Sequence, residues 1–296
     1  MPIPDRTLLA LGNFDGVHLA HRALLHAAKS LRDREFTDTV VGVFCFRTLP
    51  ADHLLADPVG HLCTYDERLS RFADCGMEIA IVAEFEELRE LSPTEYVEQI
   101  LKSECHCIAA ACGFNHRFGK GGEGTPALLE RLLGGQVLIQ PSVTDKGLPI
   151  SSTRIRALLA DGKPEEAARL LGVPYSFKAP VLHGKALGRR LGAPTVNQNF
   201  PIGAALPRLG VYAVSCELDG RRFFGISNVG VHPTVDQAAP VNCETHLFDL
   251  NEDLYGKEIK ISFLHFIRPE RRFETAEALA EQIKADLLEA RKLFYH

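Results

Sequence analysis

The chain has 296 residues, 46% of them hydrophobic and 24% charged, with a formal net charge of −5. That length exceeds one average domain, and the apolar content suffices for folded cores. The acidic balance argues against a general nucleic-acid binder, which needs a basic face; no apolar run approaches a membrane span, and no signal-peptide pattern precedes the first strand. None of the eight cysteines forms a CxxC pair, so a soluble cytoplasmic protein with reduced thiols is expected. The densest group, Cys105, Cys107, Cys112 and His116, fits no common structural-zinc spacing and reads better as small buried thiols at a strand start.

Strand-like and helix-like stretches alternate through the first half. Thr7–Leu11 is a short apolar strand, and an amphipathic pattern over 18–32 is a helix. Val40–Phe46 is rich in β-branched and aromatic residues. Helix over 66–75 and strand over 78–82 follow. Ser92-Pro93-Thr94-Glu95 is a helix start with Ser as cap, Pro first and Glu third, and that helix runs to about 103. Strand at 108–112, helix from Thr125-Pro126 to about 133, and strand at 136–140 complete the series. Such alternation predicts a Rossmann-like parallel sheet with helices on its faces. Helices over 151–159 and Pro164–Leu171 end at Gly172-Val173-Pro174. Beyond that break, stretches at 177–182, Gly210–Leu218, 222–229, 241–250 and 258–267 are strand-like, and Asp219-Gly220 signals a hairpin. An antiparallel β-barrel with one closing helix over 275–293 is expected, Leu279, Ile283, Leu287 and Leu288 repeating on one face. The domains are therefore drawn as 1–173 and 174–296.

The segment Leu11-Gly-Asn-Phe-Asp-Gly-Val-His-Leu-Ala-His-Arg22 joins the first strand to the first helix. Gly12 and Gly16 let the backbone bend and approach a ligand. His18 and His21 share a helix face where that helix begins, and a helix N-terminus offers N–H groups to an anion. The arrangement describes a site for nucleotide phosphates. Asn115, in Gly113-Phe-Asn-His-Arg-Phe-Gly119, carries an amide suited to a ribose or base edge, with Arg117 nearby for phosphate. Gly119, Gly121 and Gly124 stand too far beyond the strand for a dinucleotide fingerprint and read as a mobile loop. In Ser151-Ser-Thr-Arg-Ile-Arg156, Ser152 and Thr153 open a helix while Arg154 and Arg156 offer a triphosphate grip.

In the second half, Gly184, Gly188 and Gly192 make a loop whose N–H groups suit phosphates, with Lys185, Arg189 and Arg190 adding positive charge. Thr195 and Asn197 follow as two oxygen ligands for Mg²⁺, which takes few protein oxygens when substrate phosphates share it. Glu244 lies in a strand, sharing a face with His246 and Phe248 by alternation, and is a candidate base for a substrate hydroxyl.

The first of these segments resembles the HxGH signature of nucleotidyltransferases, in the GxFDGxHxGH form of prokaryotic FAD synthetases. The string SSTRIR at 151–156 is similar to their SSTxIR motif, and residues 113–119 to their G-x-[DN]-F-x-F-G. Three departures stand out: Ala20 replaces a glycine, His116 a phenylalanine, and Thr48-Leu49 the Pro-His of FxPHP. The second half resembles the riboflavin kinase module: GxxxGRxLGxPTxN at 184–197, GVY at 210–212, NVGxxPT at 228–234, ExHLxD at 244–249 and LYG at 254–256. Together the halves are similar to the bifunctional riboflavin kinase/FMN adenylyltransferase (FAD synthetase) family. The resemblance implies a nucleotidyltransferase-type α/β domain and a β-barrel kinase domain, with riboflavin, FMN and ATP as substrates and Mg²⁺ as cofactor. It carries nucleotide binding over to Gly12, Phe14, Asp15 and Gly16, and flavin binding to Arg268 near the C-terminal flap. Two other readings are a riboflavin kinase whose first domain has lost adenylyl transfer, and a non-catalytic flavin-binding regulator. Glu244 and the Thr195/Asn197 pair speak against the regulator, since binding alone needs no base.

Overall fold

The computed structural model describes residues 2–56, 59–182, 195–231, 241–250 and 252–294. By packing, the chain divides into Met1–Ser152 and Thr153–His296. The expected boundary at 173/174 falls two helices later, because those helices pack with the second unit.

The first unit is built on a five-stranded parallel sheet, ordered β3-β2-β1-β4-β5. These strands are β1 (Thr7–Leu11), β2 (Val40–Phe46), β3 (Ile79–Ala83), β4 (Cys107–Gly113) and β5 (Val137–Gln140). Every residue of β1 is buried, as a strand covered on both faces requires. Leu8 and Ala10 join Leu25, Val41 and Phe72 on one face, while Leu9 and Leu11 join Phe44, Val97 and Leu101 on the other. The helices are α1 (Leu19–Glu35), α2 (Pro50–Leu54), α3 (Tyr65–Asp74), α4 (Phe85–Leu88), α5 (Pro93–Glu95) and α6 (Pro126–Leu132). Thr64 and Ser92 cap their helices reciprocally with Glu67 and Glu95. The helix opened by Ser92 continues as a π-helix over Tyr96–Glu104, which the sequence pattern does not reveal. α2, α4 and the two-residue strands β6 (Thr144–Asp145) and β7 (Leu148–Pro149) are too short to carry a periodic signal. Cys105, Cys107 and Cys112 are buried thiols, and burial pushes Cys107 up to about 12. Gly119–Gly124 is a tied loop: Phe118 and Gly124 form an antiparallel bridge, and Lys120 N–H donates to the Leu91 carbonyl.

The second unit begins with α7 (Ser152–Ala160) and α8 (Pro164–Leu171), α7 starting one residue before the division. His265 and Glu165, 2.8 Å apart, tie α8 to the barrel, and Arg208 N–H donates to the Leu159 carbonyl at the end of α7. The barrel strands are β8 (Ser176–Pro180), β9 (Val196–Asn199), β10 (Gly210–Leu218), β11 (Arg221–Val231), β12 (Val241–Leu247) and β13 (Glu258–Pro269), ordered β8-β13-β10-β11-β12-β9. Leu182 N–H donates to the Asn197 carbonyl at 2.7 Å, so the chain beyond β8 meets β9 and nearly closes the sheet. Tyr175, Tyr212 and Phe263 fill the interior, where Gln198 donates to the carbonyls of Ala179 and Ile259. A long helix, α9 (Ala276–Phe294), lies against the outer face of β10, β11 and β13. Leu279, Ile283 and Leu287 face the barrel, but Leu288 is exposed. Neighbouring helical positions differ by about 100°, so Leu287 and Leu288 do not share a narrow stripe.

Candidate active sites

β1 and β4 are adjacent and parallel, so the turns after Leu11 and Gly113 leave the same edge of the sheet. Ligands of open parallel sheets bind beyond those carboxyl ends. Between β1 and α1, Phe14, Gly16 and Val17 take positive φ values of 54°, 75° and 41°. Gly16 adopts that conformation without penalty, whereas a β-branched Val17 does so only when the surroundings impose it. Those surroundings are on hand. The Phe14 ring is buried and meets Phe72 and His21 edge-on, each at 5.3 Å. The buried Asp15 carboxylate accepts the Leu62 N–H at 2.9 Å, and Ser152 Oγ donates to the Asp15 carbonyl at 3.0 Å. Arg22 Nε donates to the Val17 carbonyl and Arg71 to that of Gly16. Gly12 makes room for Phe14, whose ring would lie 3.2 Å from a Cβ there. Phe14 and Asp15 thus support the turn from beneath.

His18 is the N-cap of α1 rather than its first residue, and its Nδ1 accepts the His21 N–H at 3.3 Å. The proton of a neutral His18 ring is then on Nε2. The two imidazoles stack at 3.7 Å. Burial, and then the neighbouring His18, hold His21 well below the usual histidine range. A neighbouring polyanion makes such a ring easier to protonate.

Asn115 is exposed on the turn after β4. His116 turns inward: its Nε2 is buried without a partner among the described residues, and burial pushes its pKa down to about 4. It borders a small aromatic cavity with Phe46, Phe85, Tyr96 and Phe118, rimmed by Gly12 and Asn13. Where Pro-His was expected, Thr48 Oγ1 lies 2.7 Å from His53 Nε2, and Leu49 precedes α2. Thr153 is exposed, while Arg154 and Arg156 are half-buried on α7.

In the second unit, strand register assembles one row of residues. Asn197 on β9 faces Glu244 on β12, which faces Asn228 on β11; Asn228 faces Val211 on β10, and Val211 faces Arg268 on β13. Directly opposed residues point to the same side of a sheet. Glu244, Asn228, Val211 and Arg268 line a cavity of about 380 Å³ between the sheet and α9, whose apolar wall is Leu279, Ile283 and Leu287. His246 also lines it, as alternation from Glu244 requires, and Phe248 packs further along, beneath α9. A second cavity of about 360 Å³ lies between Thr195 and the residues Leu250, Glu252, Leu254 and Tyr255. Thr195 lines both.

Arg268 directs its fork at α9. Nε donates to both Asp286 oxygens at 3.0 Å and Nη2 to Oδ2 at 2.7 Å, while Gln282 donates to Oδ1 at 2.6 Å. The Asp286 side chain is only 4% exposed. A Cβ at Gly230 would lie 2.1 Å from a Glu270 carboxylate oxygen, so Glu270 would have to swing aside. Gly184, Lys185, Gly188, Arg189 and Gly192 lie outside the described residues, as do positions 232–234 of NVGxxPT. Asn228, Asp286 and Arg68 were not singled out by sequence. Asn228 had a signal, standing first in NVGxxPT; Asp286 and Arg68 had none, being single charges within helices.

Among the described residues, no cluster of three or more His, Cys, Asp or Glu is arranged to hold a metal ion. Thr195 and Asn197 offer oxygen donors of the kind Mg²⁺ shares with phosphates, so the donor chemistry fits that ion.

Residues 1–154 match the FAD synthetase family and residues 171–294 the riboflavin kinase family. The chain is 33% identical over 290 residues to a bifunctional riboflavin kinase/FMN adenylyltransferase of Listeria monocytogenes, covering 97% of this chain and 92% of that protein. It is also 33% identical to proteins of that name from Bacillus subtilis, over 98% of this chain and 93% of the relative, and Escherichia coli, over 97% and 92%. A crystal structure described as a macrolide-efflux protein from Streptococcus pneumoniae superposes with a TM-score of 0.89 at 28% identity, covering 100% of this chain and 96% of that one. No helix among the described residues of the present chain is long and apolar enough to cross a membrane.

Proposed function

The chain belongs to the bifunctional riboflavin kinase/FMN adenylyltransferase family of ATP-dependent transferases, and we propose how its residues divide the two reactions. Riboflavin is phosphorylated to FMN in domain 174–296, and FMN is adenylylated to FAD in domain 1–173.

In the kinase, the apolar cavity under α9 takes the flavin and the cavity beside Thr195 takes ATP. One observation carries this reading: Thr195 borders both spaces, and Glu244 lies in the same row as Asn197. The terminal ribityl hydroxyl attacks the γ-phosphorus, Glu244 takes the hydroxyl proton, and ADP leaves. Thr195 and Asn197 would hold Mg²⁺, which when bound offsets phosphate charge. Arg268, fixed by Asp286, borders the flavin, and Gly184, Lys185, Gly188, Arg189 and Gly192 contact the phosphates.

In the transferase, a phosphate oxygen of FMN attacks the ATP α-phosphorus and pyrophosphate leaves, so no protein nucleophile is needed. His18 donates from Nε2 to a phosphate oxygen, and His21 gains a proton as the polyanion arrives. Asn115 orients substrate. Ser152, Thr153, Arg154 and Arg156 hold the triphosphate, with Ser152 also bracing the turn through Asp15. The turn of Gly12, Phe14, Asp15 and Gly16 shapes the nucleotide site. His18 and His21, Asn115 and the SSTRIR string favour two activities over a kinase alone. We place both reactions in the cytoplasm, away from nucleic acid and membrane surfaces, a reading supported by eight free buried thiols.

The test is chromatography of products after E244Q and H18A/H21A substitution. E244Q should stop FMN formation but still convert FMN to FAD, and H18A/H21A should do the reverse. Loss of both activities in either variant overturns the division.

A further inference from the structure

Arg68 on α3 is 4% exposed. Its guanidinium donates only to carbonyls: Nη1 to Asn13 at 3.1 Å, and Nη2 to Phe46 at 2.6 Å and Arg47 at 2.9 Å. Its Nε is buried without a partner. Among the described residues, no carboxylate lies within ion-pair distance of it, whereas Arg6, Arg47 and Arg222, all well exposed, each have one. A buried charge lacking a counter-ion is costly, and folded proteins retain one where something else supplies the opposite charge. The three carbonyls are at the carboxyl ends of β1 and β2, the edge where the transferase site opens.

We propose that Arg68 is a positioning residue for adenylyl transfer, aiming the turn after β1 at the substrate phosphates and leaving its own charge for them to neutralise. The inference rests on the assignment of adenylyl transfer to that turn. A trans peptide holds its C=O and N–H on opposite sides. Holding the Asn13 carbonyl therefore fixes the direction of the Phe14 N–H across that peptide, a buried group with no hydrogen-bond partner among the described residues. Arg71 grips the Gly16 carbonyl from the next turn of the same helix, at 2.7 Å. α3 thus fixes both ends of the turn that precedes His18. Only an arginine spans three carbonyls from one planar group; a lysine keeps the charge but not the fork.

The test is pyrophosphate binding by calorimetry to the full chain and to R68M and R68K, with riboflavin phosphorylation as an internal measure of folding. Pyrophosphate should bind R68M about tenfold or more weakly than wild type, with a shallower salt dependence, and R68K should fall between. Kinase turnover should be unchanged in both. Wild-type pyrophosphate affinity in R68M overturns the proposal, as does equal loss in R68K and R68M with an unchanged salt slope, which marks a merely structural residue. Should R68M fail to fold, R68K decides: binding within a few-fold of wild type supports retained charge, and complete loss overturns it. FAD formation from FMN by the wild type is scored separately, so failure of the adenylyltransferase assignment is distinguishable from failure of the Arg68 assignment.

Discussion

Glu244 on β12 stands directly opposite Asn197 on β9, 47 residues earlier in the chain by number (244 − 197), and the two share one face of the barrel. Glu244 and Thr195 line one apolar cavity, and Thr195 also lines a second. If Glu244 is the base, E244Q should lower the kinase kcat by about 10²- to 10⁴-fold with little change in riboflavin KM. Steady-state kinetics with riboflavin and ATP check this, and a pure KM effect contradicts it.

Arg268 and Asp286 join β13 to α9 with a largely buried ion pair. Removing one partner leaves the other uncompensated and should cost about 3 kcal/mol or more. R268M and D286L are each expected to melt well below wild type and to raise riboflavin KM. The double variant should recover part of the lost stability, because neither charge is then orphaned. Denaturant unfolding of all four chains gives the coupling directly; strict additivity contradicts it.

His116 has a pKa pushed down to about 4 by burial. The unfolded ring protonates near 6.5 while the folded ring stays neutral, so the contribution of His116 falls as pH drops from 6.5 towards 4. The loss is at most about 3 kcal/mol, taking 1.4 kcal/mol per pH unit. H116F removes it. The variant should melt higher than wild type at pH 5, with the advantage shrinking above pH 7, and parallel melting curves at every pH would exclude His116 as the source.

The His18–His21 stack makes a linked prediction. Burial and mutual repulsion depress His21 in the free protein. A bound polyanion opposes both effects, so pyrophosphate binding should take up protons and tighten as pH falls. Calorimetry in two buffers of different ionisation enthalpy reads the uptake, which should disappear in H21A.

Much of this arrangement was legible because it depends on local chemistry. Ser92 and Thr125 cap their helices as their side chains dictate, Asp219-Gly220 turns with positive φ at both residues, and Gly172 closes α8 in the left-handed conformation. That there are two units was legible in the change of periodicity near Gly172, but the division by packing lies at Ser152/Thr153, because which side α7 and α8 pack on depends on distant partners. What stayed hidden depends on distant partners. Arg68 looks like any solvated helix charge until the carbonyls of Asn13, Phe46 and Arg47 surround it. Asp286 looks exposed until Arg268 arrives from β13. The burial of Phe14, read as part of a ligand-binding motif, follows from Phe72 on a later helix. The π-helix after Glu95 has no distinctive composition, and its register shift emerges only from packing.

The most direct measurement is chromatography of the products formed by the full chain from riboflavin, excess ATP and Mg²⁺, beside a reaction started from FMN. FAD should accumulate in both, preceded by FMN in the first. FMN without FAD in either, under oxidising and reducing conditions alike, would contradict adenylyl transfer, and the absence of any new flavin would contradict both reactions.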